Sequence, residues 1–247
     1  MMLPPVEPAR PYSSVRPELA TGDLFFLHTT STAGQWIEWL ERDADLPPFS
    51  HVGMVIKDDA NLFFWDAPGG GDCFPDPYAD ESDNRLHGSS VHPGCRVSVL
   101  DDVLAYYATK VDVPGFWVRR LTRPVTQEQF IALRRFINRV DGLPFPIEFG
   151  YFELLRNFAA GQRGTTHQFG TYFCSQLVAA SYMHMGLLEM DARPPNAYAP
   201  GHFGIHTADF RMTDPPPFVP PAGLAEVFFV EWDRPTGGGT PCDQDAW

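Results

Sequence analysis

Three residues of this chain have the types needed to attack a carbonyl carbon: a thiol at Cys174, an imidazole at His51 and a carboxylate at Asp66. Cys174 stands in Thr171-Tyr172-Phe173-Cys174-Ser175, directly before the run CSQLVAASYMHM over 174–185. There Leu177, Val178, Tyr182 and Met185 fall on one face of an amphipathic helix, which Gly186 ends. A cysteine in the first turn of a helix points its sulfur at unsatisfied backbone N–H groups and at the positive end of the dipole. That setting favours the nucleophilic thiolate. The same N–H groups can receive a developing oxyanion, and Tyr172 and Ser175 are candidate contributors to that site, with packing on the sheet the favoured reading of Tyr172. The competing reading of Cys174 is a small buried hydrophobe.

His51 opens the β-rich run HVGMVI, and Asp66 ends NLFFWDA, 15 residues on. The turn Lys57-Asp58-Asp59 separates them, so the two runs read as a β-hairpin. Paired side chains on adjacent antiparallel strands lie ~5 Å apart. Asp66 can then accept a hydrogen bond from the His51 ring and fix its tautomer. A cysteine, a histidine and a carboxylate together make an activated thiol for acyl chemistry.

The remaining elements surround that group. Leu24–Leu27 after Gly22-Asp23, Val97–Leu100, Phe116–Leu121 and AEVFFVEW over 225–232 read as strands. Trp36, Ile37, Trp39 and Leu40 mark a short helix, and a further helix is expected over Asp101–Lys110. Thr126 and Gln129 form a capping box ahead of Phe130, Leu133, Ile137 and Val140, with Gly142 as the stop. Residues 68–95 are polar, rich in turn formers and without period, the mark of a functional loop. Residues 1–20 are Pro-rich and read as an extended arm, 21–212 as the body, and 213–247 as a Pro-rich extension with one strand and a Gly-rich tail.

Together these segments resemble the circularly permuted branch of the NlpC-type papain-like superfamily, near its YiiX/YebB-like proteins. The likeness rests on GDLFF (22–26), SHVGMVI (50–56), FWDA (64–67), WVRRL (117–121), GLPFPIEF (142–149), FCSQLVAASYMHMGL (173–187) and PPNAYAPGHF (194–203). It covers roughly residues 20–205. The permuted branch places its histidine before its cysteine, as here. The resemblance implies an α+β fold, with a Cys-bearing helix packed on an antiparallel sheet or open barrel. It implies Cys174 as nucleophile, His51 as general base and Asp66 as orienting group. The family often carries Glu at the third position, so Asp66, one methylene shorter, is a departure. Two activities follow from it. One is a cysteine amidase or peptidase acting on amide or isopeptide bonds. The other is lipid-directed acyl transfer or ester hydrolysis through the same three residues. A non-catalytic binding module is the third reading, disfavoured because all three positions hold competent residues.

Composition bounds the rest. At ~150 residues per domain, 247 residues make one domain with appendages. Hydrophobic residues at 44% and charged residues at 20% exclude a disordered chain, and 4 Cys exclude a disulfide-dense scaffold. The net charge of −13 argues against nucleic acid as a partner and, more weakly, against anionic membranes. That charge tilts the reading towards a peptide rather than an acyl-lipid substrate. No apolar run reaches the ~18 residues that span a bilayer, and the Pro-rich start is unlike a secretory signal, so a cytoplasmic protein is expected. No cofactor is expected. His87, His92 and Cys95, with Cys73 upstream, match no common zinc spacing. His202 and His206 have Gly204 between them, and Glu148 and Glu153 are merely near in sequence. Asp76 to Asn84 lacks the glycine of a calcium loop. Trp36, Trp39 and Trp65 read as core or cleft wall.

Overall fold

Leu24–Leu27 is apolar at every position, and such a run suits a strand covered on both faces. In the computed structural model this segment, β2, holds the middle of a seven-stranded sheet. The structure describes residues 9–28, 35, 37–38, 49–69, 94–110, 115–146, 151–166, 170–191, 193–204, 218–220 and 222–233. The other strands are β1 (Arg10–Pro11), β3 (His51–Asp58), β4 (Asn61–Asp66), β5 (Arg96–Val99), β6 (Gly115–Leu121) and β7 (Leu224–Glu231). Their order is β1-β7-β6-β2-β3-β4-β5. The sheet is open and mixed, because β1 runs parallel to β7 while every other pairing is antiparallel. The α-helices are α1 (Tyr12–Val15), α2 (Leu100–Lys110), α3 (Gln127–Val140), α4 (Tyr151–Gln162), α5 (Cys174–His184) and α6 (Pro200–Phe203). The fold is therefore α+β.

Strand alternation splits the core into two layers. Leu24, Phe26, Val52, Met54, Ile56 and Trp65 point to one face, where they pack with Leu133, Phe136 and Ile137 of α3 and Leu177, Val178 and Tyr182 of α5. Phe25, Leu27, Val55, Phe64, Phe116 and Val118 point to the other face, against Tyr12, Val15, Leu19 and the α2 residues Val103, Leu104 and Tyr107. Two polar contacts fix α5 on its layer. Trp65 Nε1 donates to Ser181 Oγ at 3.0 Å, and Tyr182 Oη donates to the Gly22 carbonyl at 2.6 Å.

The hairpin, the strands and α3 stand where their patterns place them. Thr126 and Gln129 close their capping box reciprocally, at 3.0 and 3.2 Å. Gly142 follows at φ 77°, a conformation that only glycine adopts at little cost. Residues 9–20 are not an extended arm. Tyr12, Val15 and Leu19 are fully buried, because their i, i+3, i+7 spacing over a helical turn and a 3-10 turn puts all three on the sheet. Tyr12 stacks on Trp232 at 5.1 Å, and the Ser13 hydroxyl and main-chain N–H both donate to the Asp233 carboxylate. The strand of the C-terminal extension, β7, belongs to the same sheet. The calls on Trp36, Trp39, Leu40, Cys73, Asp76–Asn84, His87, His92, Glu148, His206, 213–217 and the tail from 234 lie outside the described residues.

Candidate active site

Helix α5 begins at Cys174, where Phe173 is extended (φ −96°, ψ 165°) and leads directly into the first turn. Phe173 offers no side-chain cap to the first turn. The N–H groups of Cys174, Ser175 and Gln176 belong to the four that no helical carbonyl can satisfy. The Gln176 side chain instead reaches back to accept from the Phe173 N–H at 3.4 Å, and accepts from Asn157 Nδ2 of α4 at 2.9 Å. The helix was expected to bury one face. Instead Cys174–Met183 is buried throughout. The strands β3 and β4, the helix α3 and the 3-10 turn Pro195–Ala197 all pack around it.

His51 stands at the first position of β3, beside Leu27 of β2. Ser50 pins the entry, its hydroxyl and N–H both donating to the Leu27 carbonyl at 3.1 Å. His51 Nε2 lies 2.9 Å from Asp66 Oδ2. The two residues are not register partners. Met54 pairs with Trp65, which sets Gly53 opposite Asp66 and His51 diagonal to it on the same face. The expected direct pair is thus a diagonal one, and the length of the imidazole spans the difference. Gly53 makes room for this arrangement. A Cβ there would fall 2.2 Å from Phe64 Cζ, and that same Phe64 ring flanks His51 at 6.4 Å. Tyr107 of α2 stacks on the other side at 6.5 Å.

With Nε2 committed to Asp66, Nδ1 is the nitrogen left for the sulfur. Cys174 is the partner that acts on His51 from beyond the Asp66 bond. Burial acts most strongly on His51 and favours its neutral form. The influence of Cys174 and Asp66 outweighs it, and His51 is pushed up to about 10. The ring is therefore an imidazolium at neutral pH. All three groups are closed off from solvent: Cys174 is 2%, His51 7% and Asp66 0% exposed.

A fourth charged residue joins this row. Arg96 is the register partner of Asp66 across β4 and β5, and its Nε lies 3.6 Å from Asp66 Oδ1. Sequence reasoning missed it. Its only local signal is a cation heading the otherwise uncharged strand RVSV.

The other candidates are placed as follows. The Ser175 hydroxyl donates to the Tyr198 carbonyl at 2.8 Å, so its side chain is held in the core and only its main-chain N–H remains for an oxyanion. The Tyr172 ring meets Phe136 edge to face at 6.1 Å and lines a cleft of about 710 Å³ with Met183, His184, Met190 and Arg193. Cys174, His51 and Asp66 do not line that cleft. Cys95 is buried, and burial, with the charges of Asp141 and Asp66, pushes its thiol well up, away from reactivity. His202 Nδ1 accepts from the Ala199 N–H at 2.9 Å, which caps α6. Glu153 pairs with Arg156 at 3.3 Å. Trp65 lies in the core, fully buried. Among the described residues no group of three or more His, Cys, Asp or Glu is placed to hold a metal ion, and no helix is long and apolar enough to cross a membrane.

The arrangement brings a thiol, a charged imidazole and unsatisfied main-chain N–H groups together at one helix start. Known proteins supply no label for it: no protein-family model matches the chain, and no curated protein matches it.

Proposed function

We propose that the protein is a cysteine-dependent hydrolase of papain-like, permuted NlpC type that cleaves an amide or isopeptide bond through a thioester. The observation that carries this reading is the His51 ring, held by Asp66 at 2.9 Å and raised in basicity by Cys174. The likeness of residues 20–205 to the permuted branch supports it.

The reaction runs in two halves. The Cys174 sulfur donates its electron pair to the substrate carbonyl carbon, and the carbonyl oxygen takes the negative charge. The Cys174 and Ser175 N–H groups at the helix start stabilise that oxyanion. As the tetrahedral intermediate collapses, the C–N bond breaks and His51 gives its Nδ1 proton to the leaving amine. A thioester and a neutral imidazole remain. Water then attacks the thioester carbon while His51 takes its proton. The C–S bond breaks, the acid leaves, and the thiolate–imidazolium pair is restored. Asp66 keeps the ring oriented throughout and stabilises its charged form, as the carboxylate of a triad does.

The test is capture of the acyl-enzyme. Wild type is mixed with a panel of peptide amides, isopeptides and acyl esters, quenched in acid and weighed intact. A mass increase equal to one acyl group, mapped to Cys174 and absent in Cys174→Ala, is the expected result. Turnover that survives Cys174→Ala would refute the reading. Acylation by lipid esters alone would move the substrate to the lipid class and leave the thiol mechanism standing.

A further inference from the structure

Arg96 sits directly across from Asp66 in the strand register, with its side chain 13% exposed. Asp66 is fully buried, and its Oδ2 is committed to His51. Its Oδ1 accepts no hydrogen bond and faces Arg96 Nε at 3.6 Å. That separation is beyond an ordinary N–H···O bond but within ion-pair range. A buried carboxylate with an unbonded oxygen is costly unless an opposite charge compensates it.

We propose that Arg96 is a positioning residue of the site, whose guanidinium holds the far oxygen of Asp66 so that the near oxygen stays aimed at His51. This rests on the acyl-transfer reading above. The four groups then alternate in sign: thiolate at Cys174, imidazolium at His51, carboxylate at Asp66, guanidinium at Arg96. They sum to zero, which is what a dry site tolerates. Without the guanidinium the site carries one net negative charge in a medium that screens it poorly. It then binds a proton more readily at every step, and the thiolate–imidazolium pair forms only at higher pH. Each neighbouring element adds a group to this balance. Cys174 comes from α5 and Tyr107 from α2, stacked on His51. Cys95 precedes β5, with Asp141 beside it. The Cys95 thiol is pushed well up and stays protonated through neutral pH.

A purely structural ion pair would do none of this, and the two roles separate in a pH profile. The full chain is alkylated with iodoacetamide from about pH 5 to about pH 9, and the rate at Cys174 is followed by peptide mass mapping. Arg96→Gln is expected to move the acid side of the profile upward by about one pH unit, or about tenfold slower labelling near pH 6. Arg96→Lys keeps the charge and is expected to hold the wild-type profile to within about twofold. In an Asp66→Asn background, Arg96→Gln is expected to displace the profile less, because no carboxylate is left for it to position. If Arg96→Gln does not fold, Arg96→Met fills the volume without the charge and carries the same expectation. An unmoved profile, or a rate lowered equally at every pH, would overturn the proposal while the acyl-transfer reading stands. A wild type with no selective labelling at Cys174 would overturn the reading beneath it.

Discussion

Replacing Asp66 with Asn keeps the shape of the hairpin end and removes one charge. The consequence is best read at His51. That ring is pushed up to about 10, although burial, the strongest influence on it, acts to lower it. Its charged form therefore depends on its two partners. Asp66 meets it at 2.9 Å with a charged acceptor. A hydrogen bond to a charged group contributes about 1.5–3 kcal/mol and a neutral one about 1 kcal/mol. The difference is on the order of 0.5–2 kcal/mol. At about 1.4 kcal/mol per pH unit, Asp66→Asn should lower the His51 midpoint by about one unit. Burial then draws the ring further towards its neutral form, and the thiolate loses its counter-charge. The assay is an NMR titration of the protein with ¹³C-labelled histidine, followed at the His51 ring carbon into the alkaline range. Acyl-enzyme formation at neutral pH should fall by tenfold or more in parallel. A His51 midpoint that is unchanged or higher in Asp66→Asn would refute the reasoning.

Other consequences follow from the same contacts. His51 titrates higher in the folded chain, at about 10, than its ordinary 6.5. Its contribution to stability is thus fully present below about pH 6.5 and is lost as the pH rises towards about 10. The urea midpoint should fall across that window, and His51→Gln should flatten the fall. Gly53→Ala places a Cβ within 2.2–2.7 Å of three Phe64 ring atoms. It should cost about 1–3 kcal/mol in urea denaturation and slow Cys174 alkylation, because Phe64 also flanks His51. Tyr182→Phe strips the buried Gly22 carbonyl of its 2.6 Å donor and should cost about 1–3 kcal/mol by the same measurement, with alkylation little changed.

Much of this arrangement is written locally in the sequence, and the parts that are not share a physical cause. The capping box at Thr126, the turn at Asp58-Asp59 and the short strands each depend on neighbours a few residues away. The partnership of His51 with Asp66 was legible for the same reason: one hairpin carries both. Its diagonal geometry was not, because register depends on Gly53 yielding space to Phe64. Arg96 was out of reach, because its place opposite Asp66 is set by the pairing of β4 with β5, which no local pattern specifies. The prolines of the first twenty residues masked the spacing of Tyr12, Val15 and Leu19, whose burial depends on the sheet beneath them. The α5 pattern suggested one apolar face. Its small residues Ala179, Ala180 and Ser181 let other elements approach on the remaining sides, and all three are buried. The thiol at Cys174 was read from its place before the helix, and what that reading lacked was the enclosure around it.

The most direct measurement is competitive alkylation of the four cysteines. The folded protein is treated with limiting iodoacetamide near pH 6, and the modified peptides are mapped. If Cys174 is paired with the His51 imidazolium, it is modified in preference to Cys73, Cys95 and Cys242, and His51→Ala abolishes the preference. Equal slow labelling of all four cysteines, or none at Cys174, would show a structural cysteine and contradict the account at its centre.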